Sequence, residues 1–236
     1  MGLPVVANTP ANNLISGTTS GTQTRVPTAG ETAIVWGVAT AGGAGLSVSG
    51  AGGTWTEILN VSDGTRRAFA WRGSGITSGS SQTVTVSFTN TTTCRWSWLG
   101  VTGISSTTPD DQTGDKTTSS SARTSTDCVS TAVTTPANVV CVAGLGLSAA
   151  PSTITGITGW TRVTAGSGVS IALLYLVSAG GLSSDLVTLA HASVTASAQG
   201  GFASFNGDDQ GGGGGQPYAK RFGGVPHNGF RRRGVW

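Results

Sequence analysis

Charged residues are scarce in this chain. Its 236 residues include 13 Lys+Arg and 10 Asp+Glu, which together make up 10% of the sequence, whereas soluble domains average about 25%. Disordered chains combine low hydrophobicity with many charges, but here 37% of the residues are hydrophobic and seven are Trp. We therefore expect a folded protein, and its length fits one all-β domain with terminal arms.

Targeting and membrane signals are also missing. No segment has the roughly 18 consecutive apolar residues that a membrane-spanning helix needs. Residues 1–10 have neither a basic start nor an unbroken apolar stretch, so we expect no secretory signal. Val6 stands where N-myristoylation requires Ser or Thr. The sequence therefore predicts no membrane partner.

Cysteines are few. Cys94, Cys128 and Cys141 have no CxxC spacing and are odd in number, which argues against a zinc ribbon and against a complete disulfide framework. An unpaired cysteine usually behaves as a small buried hydrophobic residue. We expect buried free thiols.

Histidine, the usual general base, occurs only twice, as His191 and His227. His191 falls in a predicted strand among apolar residues, where a structural role is expected. His227 lies in a glycine-rich tail, which cannot hold a catalytic triad member in place. The sequence therefore predicts no catalytic residues and no enzyme.

Clustered carboxylates occur at two places, in predicted loops: Asp110, Asp111 and Asp115, and then Asp208 with Asp209. Paired carboxylates could hydrolyse glycosides, and the first group could bind Ca²⁺. However, DDQTGD lacks the spacing of a calcium-binding loop, and no phosphate-binding glycine motif precedes a helix. We expect a solvated acidic loop, no metal and no cofactor.

Period-two alternation of apolar and polar residues predicts β-strands throughout the body, and helical spacing is almost absent. The strands are predicted at Ala33 to Val38, Thr54 to Leu59, Arg67 to Arg72, Gln82 to Phe88, Cys94 to Val101, Asn138 to Leu147, Ser170 to Val177 and Asp185 to His191. Short strands between turn-forming residues indicate an all-β fold, an antiparallel β-sandwich or jelly roll.

The second half of the body repeats the first at an offset of about 105 residues. PTAGETAIVWGVATAGG matches TPANVVCVAGLGLSAA, and Trp55 and Trp71 match Trp160 and Tyr175. Two copies are too few for a solenoid, so we predict two similar β-layers, from pseudo-repeats 26–104 and 131–206. The stretch from Ser105 to Ser130 is predicted to be a long connection.

The order of these motifs resembles a known family. RAFAWRG, QTVTVSF, WSWLGVTGI and a second round starting at TAVTTPANVVCVAGLG are similar to the β-sandwich, jelly-roll-like domain of tailed-bacteriophage virion proteins. The resemblance covers roughly residues 25–206. It implies a virion location, as a head decoration or fibre or a tail appendage, with other virion proteins as partners and a homo-oligomeric state.

Charge is concentrated after the body. Residues 1–206 have eight basic and eight acidic side chains, whereas residues 217–236 have five basic side chains and no acid. Residues 1–25 are predicted to be an extended segment, the glycine-rich residues 207–216 a flexible linker, and residues 217–236 a C-terminal arm. Its predicted anchoring residues are Tyr218, Lys220, Arg221, Phe222, Phe230, Arg231, Arg232, Arg233 and Trp236.

Three roles are open to this arm: contact with nucleic acid, solubility alone, or anchoring to a neighbouring subunit. Basic and aromatic residues among Gly and Pro favour anchoring, because a segment that orders on binding can cover a large surface. We expect no nucleic-acid partner. The sequence therefore predicts a non-enzymatic virion structural protein, displayed on the particle surface.

The alternative function is that of a carbohydrate-binding adhesin for host-surface glycans. Trp96 and Trp98 are two residues apart and share one face of a predicted strand, so they are the candidate glycan or partner face. Tryptophans in a repeated strand framework more often form the core, and only exposure of the pair would favour binding.

Overall fold

The computed structural model describes residues 3–8, 10–39, 44–118, 123–127, 138–147, 154–155, 159–163, 171–179, 188–195 and 198–208. Every regular element in these ranges is a β-strand, and every strand pair is antiparallel. The strands are β1 (Val5–Val6), β2 (Asn13–Arg25), β3 (Thr32–Ala39), β4 (Ser47–Gly50), β5 (Thr54–Ser62), β6 (Arg67–Ser74), β7 (Gln82–Thr102), β8 (Asp110–Thr118), β9 (Arg123–Asp127), β10 (Val139–Leu147), β11 (Ile154–Thr155), β12 (Thr161–Arg162), β13 (Ile171–Ser178), β14 (Thr188–Thr195) and β15 (Ala198–Asn206).

The strands form three sheets. The first has the order β1-β7-β3-β6-β5, with β2 and β4 also paired to β7. The second has the order β12-β13-β10-β15-β8, and the third has the order β11-β14-β9. The first two sheets pack face to face, which confirms the predicted β-sandwich fold.

The two halves of the chain have the same pairing pattern. The order β7-β3-β6-β5 in the first sheet is repeated as β15-β10-β13-β12 in the second. In the small sheet β14 lies between β9 and β11, in the same way as β7 pairs with both β2 and β4 in the first half. This common pattern starts at β1 in the first half and at β8 in the second.

The long connection predicted between Ser105 and Ser130 is wrong, because β8 and β9 lie within it. Both are strands at sheet edges and are rich in polar and charged residues, so they show no apolar alternation. The separate strands predicted at Gln82–Phe88 and Cys94–Val101 also form one continuous strand, β7, since β2 pairs along both parts.

The ribbon of β2 and β7 folds back on itself. A straight strand from Gln82 to Trp98 would be about 50 Å long, yet Arg25, the partner of Gln82, has its guanidinium carbon 3.9 Å from the centre of the Trp98 ring. The pairing register shifts between Ser16 and Ser20. The ribbon therefore covers the outer face of the first sheet.

Two hydrophobic clusters result, one on each face of β3. Trp36 and Val38 point into the cluster between the two large sheets, and Val35 points into the cluster beneath the folded ribbon. With both faces covered, β3 is buried along nearly its whole length, as its almost unbroken apolar sequence requires. Burial of each large side chain contributes about 1.5–3 kcal/mol.

Glycines allow close contact between the large sheets at Val38. A Cβ atom on Gly144 would lie 2.8 Å from Val38 Cγ2, and one on Gly146 would lie 2.7 Å from Val38 Cγ1. Both distances are shorter than real carbon contacts. The glycines of β10 thus form a socket for Val38.

Candidate functional site

The predicted glycan or partner face lies inside the protein. Trp96 and Trp98 are both 0% exposed, in the cluster beneath the folded ribbon. Neither indole can stack on a sugar, so their assignment as a binding face is wrong. The fold-back of β2 and β7 buries them, which strand periodicity alone does not indicate. All six tryptophans in the described ranges are buried or half-buried.

Trp98 is part of a buried polar contact. The Arg25 guanidinium lies over its ring and also pairs with Glu31, whose side chain is 0% exposed. Glu31 Oε2 accepts a hydrogen bond from Arg25 Nη1 at 2.9 Å and another from the Thr28 backbone nitrogen at 3.0 Å. The contact joins the folded ribbon to the start of β3. Sequence reasoning missed it, because Arg25 and Glu31 belong to no recognisable motif.

The predicted arm, Tyr218 to Trp236, lies outside the described residues, but the point where the chain leaves the sandwich is described. The Asp208 backbone nitrogen donates to Gly103 O at 2.9 Å, and Ile104 forms a bridge with Gly207. A Cβ on Gly103 would be 3.6 Å from Pro4 Cα. The first and last described segments therefore meet at one end of the sandwich.

Close packing at this junction requires glycine. Gly207 donates its backbone N–H to Asn138 O at 2.7 Å, and a Cβ on Gly207 would be 2.9 Å from Pro4 Cγ. Two apolar side chains lie exposed beside it, Leu3 at 41% and Val5 at 58%. The junction thus combines close backbone contacts with two exposed apolar side chains.

The acidic residues predicted to occupy a loop lie instead on the edge strand β8. Asp110 accepts from Arg72 Nε at 2.6 Å and from Arg72 Nη2 at 2.9 Å, and this pair links the two large sheets. Asp111 Oδ2 accepts from Ser204 Oγ at 2.7 Å. The side chain of Asp115 is outside the described residues. In the described part of the chain, no group of three or more potential metal-ligating side chains is arranged around a metal position.

A cleft of about 590 Å³ opens at the same end as the junction. Its walls include Glu31, Arg72, Ser105 and Ile104. Both charged residues already have partners, Arg25 for Glu31 and Asp110 for Arg72. These ion pairs stabilise the walls of the cleft.

Two of the three thiols lie in the described ranges. Cys94 and Cys141 are free and buried, as predicted, and burial raises the pKa of each thiol. Cys128 is outside the described residues. His191 lies on β14 with its backbone paired to Ile154. The His191 side chain, His227 and Asp209 are outside the described residues.

No helix in the described ranges is long and apolar enough to cross a membrane. No protein-family model, curated protein or solved structure matches this chain.

Proposed function

We propose that this chain is a non-enzymatic structural protein of a phage-type virion. In this proposal the β-sandwich is displayed on the particle surface, and residues 217–236 anchor it to a neighbouring virion subunit. The order of strand motifs, which resembles virion sandwich domains, supports the particle assignment. The charged side chains described above form ion pairs with each other within the body, which supports a structural role.

The observation that carries the proposal is the junction at Gly103. Asp208 and Pro4 both lie beside Gly103, so the segments before and after the sandwich start from one end of it. Anchoring from that end would leave the opposite end of the sandwich pointing outward. Many weak arms on a symmetric particle would then add up to firm attachment through avidity.

The test compares the full chain with a variant that ends at residue 210. Each is mixed with particles that lack this protein, and bound copies are counted by electron microscopy and pull-down. We expect the truncated protein to keep the melting temperature of the full chain and to lose at least about tenfold in particle binding. Full occupancy by the truncated protein would contradict the proposal.

Two further variants separate anchoring from contact with nucleic acid. One replaces the five basic residues of the arm with Gln, and the other replaces Tyr218, Phe222, Phe230 and Trp236 with Ser. Anchoring predicts that both variants bind weakly. Binding that depends only on the basic residues, and that falls steeply with salt, would support nucleic-acid contact instead.

A further inference from the structure

Sheet edges are exposed rows of backbone N–H and C=O groups, and proteins usually protect them with short strands, charges or bulges. In the described part of the chain, β1, β11 and β12 have two residues each and β4 has four. The edge strand β5 has a register shift next to the charged Glu57. Strand β8 has Asp110, Asp111, Asp115 and Lys116, and β9 has Arg123 and Asp127.

The outer part of β2 lacks this protection. After the register shifts near Ser16 to Ser20, residues Ser20 to Arg25 pair regularly with β7 on one side, and no described strand pairs with them on the other. Arg25 is the one charged residue of β2, and Glu31 already binds it. The corresponding edge in the second half of the chain, β8 and β9, has six charged residues. Among the described strands, the repeat thus has one protected edge and one open edge.

We infer that the open edge of β2 binds the same edge of a second copy of this chain. Two copies related by a two-fold axis perpendicular to the sheet would continue the sheet with antiparallel pairing. Side chains of the two copies lie on matching faces of the joined sheet only if even-numbered residues stand opposite even-numbered ones and odd-numbered residues opposite odd-numbered ones. Centring the axis on Thr22 places Thr22 opposite its own copy and Ser20 opposite Thr24.

This register is self-complementary. Ser20, Thr22 and Thr24 are all exposed, and facing hydroxyl side chains are favourable cross-strand pairs. Arg25 stands opposite Thr19, so no like charges meet. Such a short strand pair buries less than the roughly 1,200 Å² of a standard interface. The association is therefore weak in solution and is strengthened where copies are held close together.

The first test is sedimentation equilibrium of the full chain over about a hundredfold range of concentration. We expect a reversible dimer, and Thr22→Lys should raise its dissociation constant at least about tenfold, because two ammonium groups would face each other across the axis. The matched control is Thr113→Lys, at an exposed position on the edge strand β8. It should dimerise like the unmodified chain.

A second variant tests the register without relying on loss of binding. Opposed residues in antiparallel strands have Cα atoms about 4.5 to 5.5 Å apart, within reach of a disulfide. Under mild oxidation Thr22→Cys should form a covalent dimer, and Thr113→Cys should form no more than the unmodified chain.

The inference is overturned if Thr22→Lys sediments like the unmodified chain, or if Thr22→Cys cross-links no better than Thr113→Cys. It is also overturned if dimerisation is lost on truncation at residue 210 and is insensitive to Thr22→Lys, since the arm would then be the interface. These measurements contain no particles, so their outcome is independent of the proposed virion function.

Discussion

The contact between the two large sheets at Val38 gives the sharpest test of the fold. In Gly144→Ala the new Cβ atom would lie 2.8 Å from Val38 Cγ2 and 3.5 Å from Gly37 O. Val38 is 0% exposed and lies in the cluster between the sheets, so it has little room to move. Overpacking of this kind typically costs about 1–3 kcal/mol.

The loss should be visible as a lower melting temperature. For a protein of this size, 1 kcal/mol corresponds to about 2–4 °C, so Gly144→Ala should melt about 2 to 12 °C below the unmodified chain. Calorimetry or circular dichroism would measure this. Thr54→Ala, at an exposed position on the edge strand β5, is the control and should change stability by less than about 0.5 kcal/mol.

A double-mutant cycle identifies the cause. Val38→Ala alone leaves a cavity and should cost about 2 kcal/mol, but it also removes the methyl groups that Gly144→Ala would strike. The double variant should therefore be at least about 1 kcal/mol more stable than the sum of the single effects predicts. Additive effects, or a Gly144→Ala variant as stable as the unmodified chain, would refute the socket at Val38.

The other predictions concern titratable groups. Burial raises the pKa of Asp63, but hydrogen bonds from the Arg66 and Thr65 backbone nitrogens and from the Arg66 side chain outweigh it, so the folded pKa lies below 3.8. Asp63→Ala should therefore lose about 1 kcal/mol of stability at neutral pH. Urea titrations should show the difference between the variant and the unmodified chain shrink as the pH falls below about 4. A difference that stays constant with pH would contradict the lowered pKa of Asp63. Burial raises the pKa of Cys94 and Cys141, so a chain with Cys128→Ser should not react rapidly with a thiol reagent when folded, whereas two thiols per chain should react when it is unfolded. Rapid modification of the folded chain would show that these cysteines are accessible.

The strands with one apolar and one polar face could be predicted from sequence. Val84, Val86 and Phe88 alternate with polar residues and are buried as a set, because side chains of a strand alternate between its faces. The predicted positions of β3, β6 and β10 are also correct, although β3 and β10 are buried on both faces and do not alternate. The alternation rule missed β2, in which Leu14 and Ile15 are the only large apolar residues, and β15, in which residues Gly200 to Asn206 are buried on both faces.

The candidate site shows the same division. The sequence by itself determined the β class, the internal repeat and the concentration of basic residues after a neutral body, because these depend on local periodicity and composition. Tertiary structure alone decided that Trp96 and Trp98 are core, that Asp110 pairs with Arg72, and that Pro4 meets Gly207. Each of these depends on contacts between distant parts of the chain, made when the ribbon folds back and the sheets pack, and no local pattern encodes such contacts.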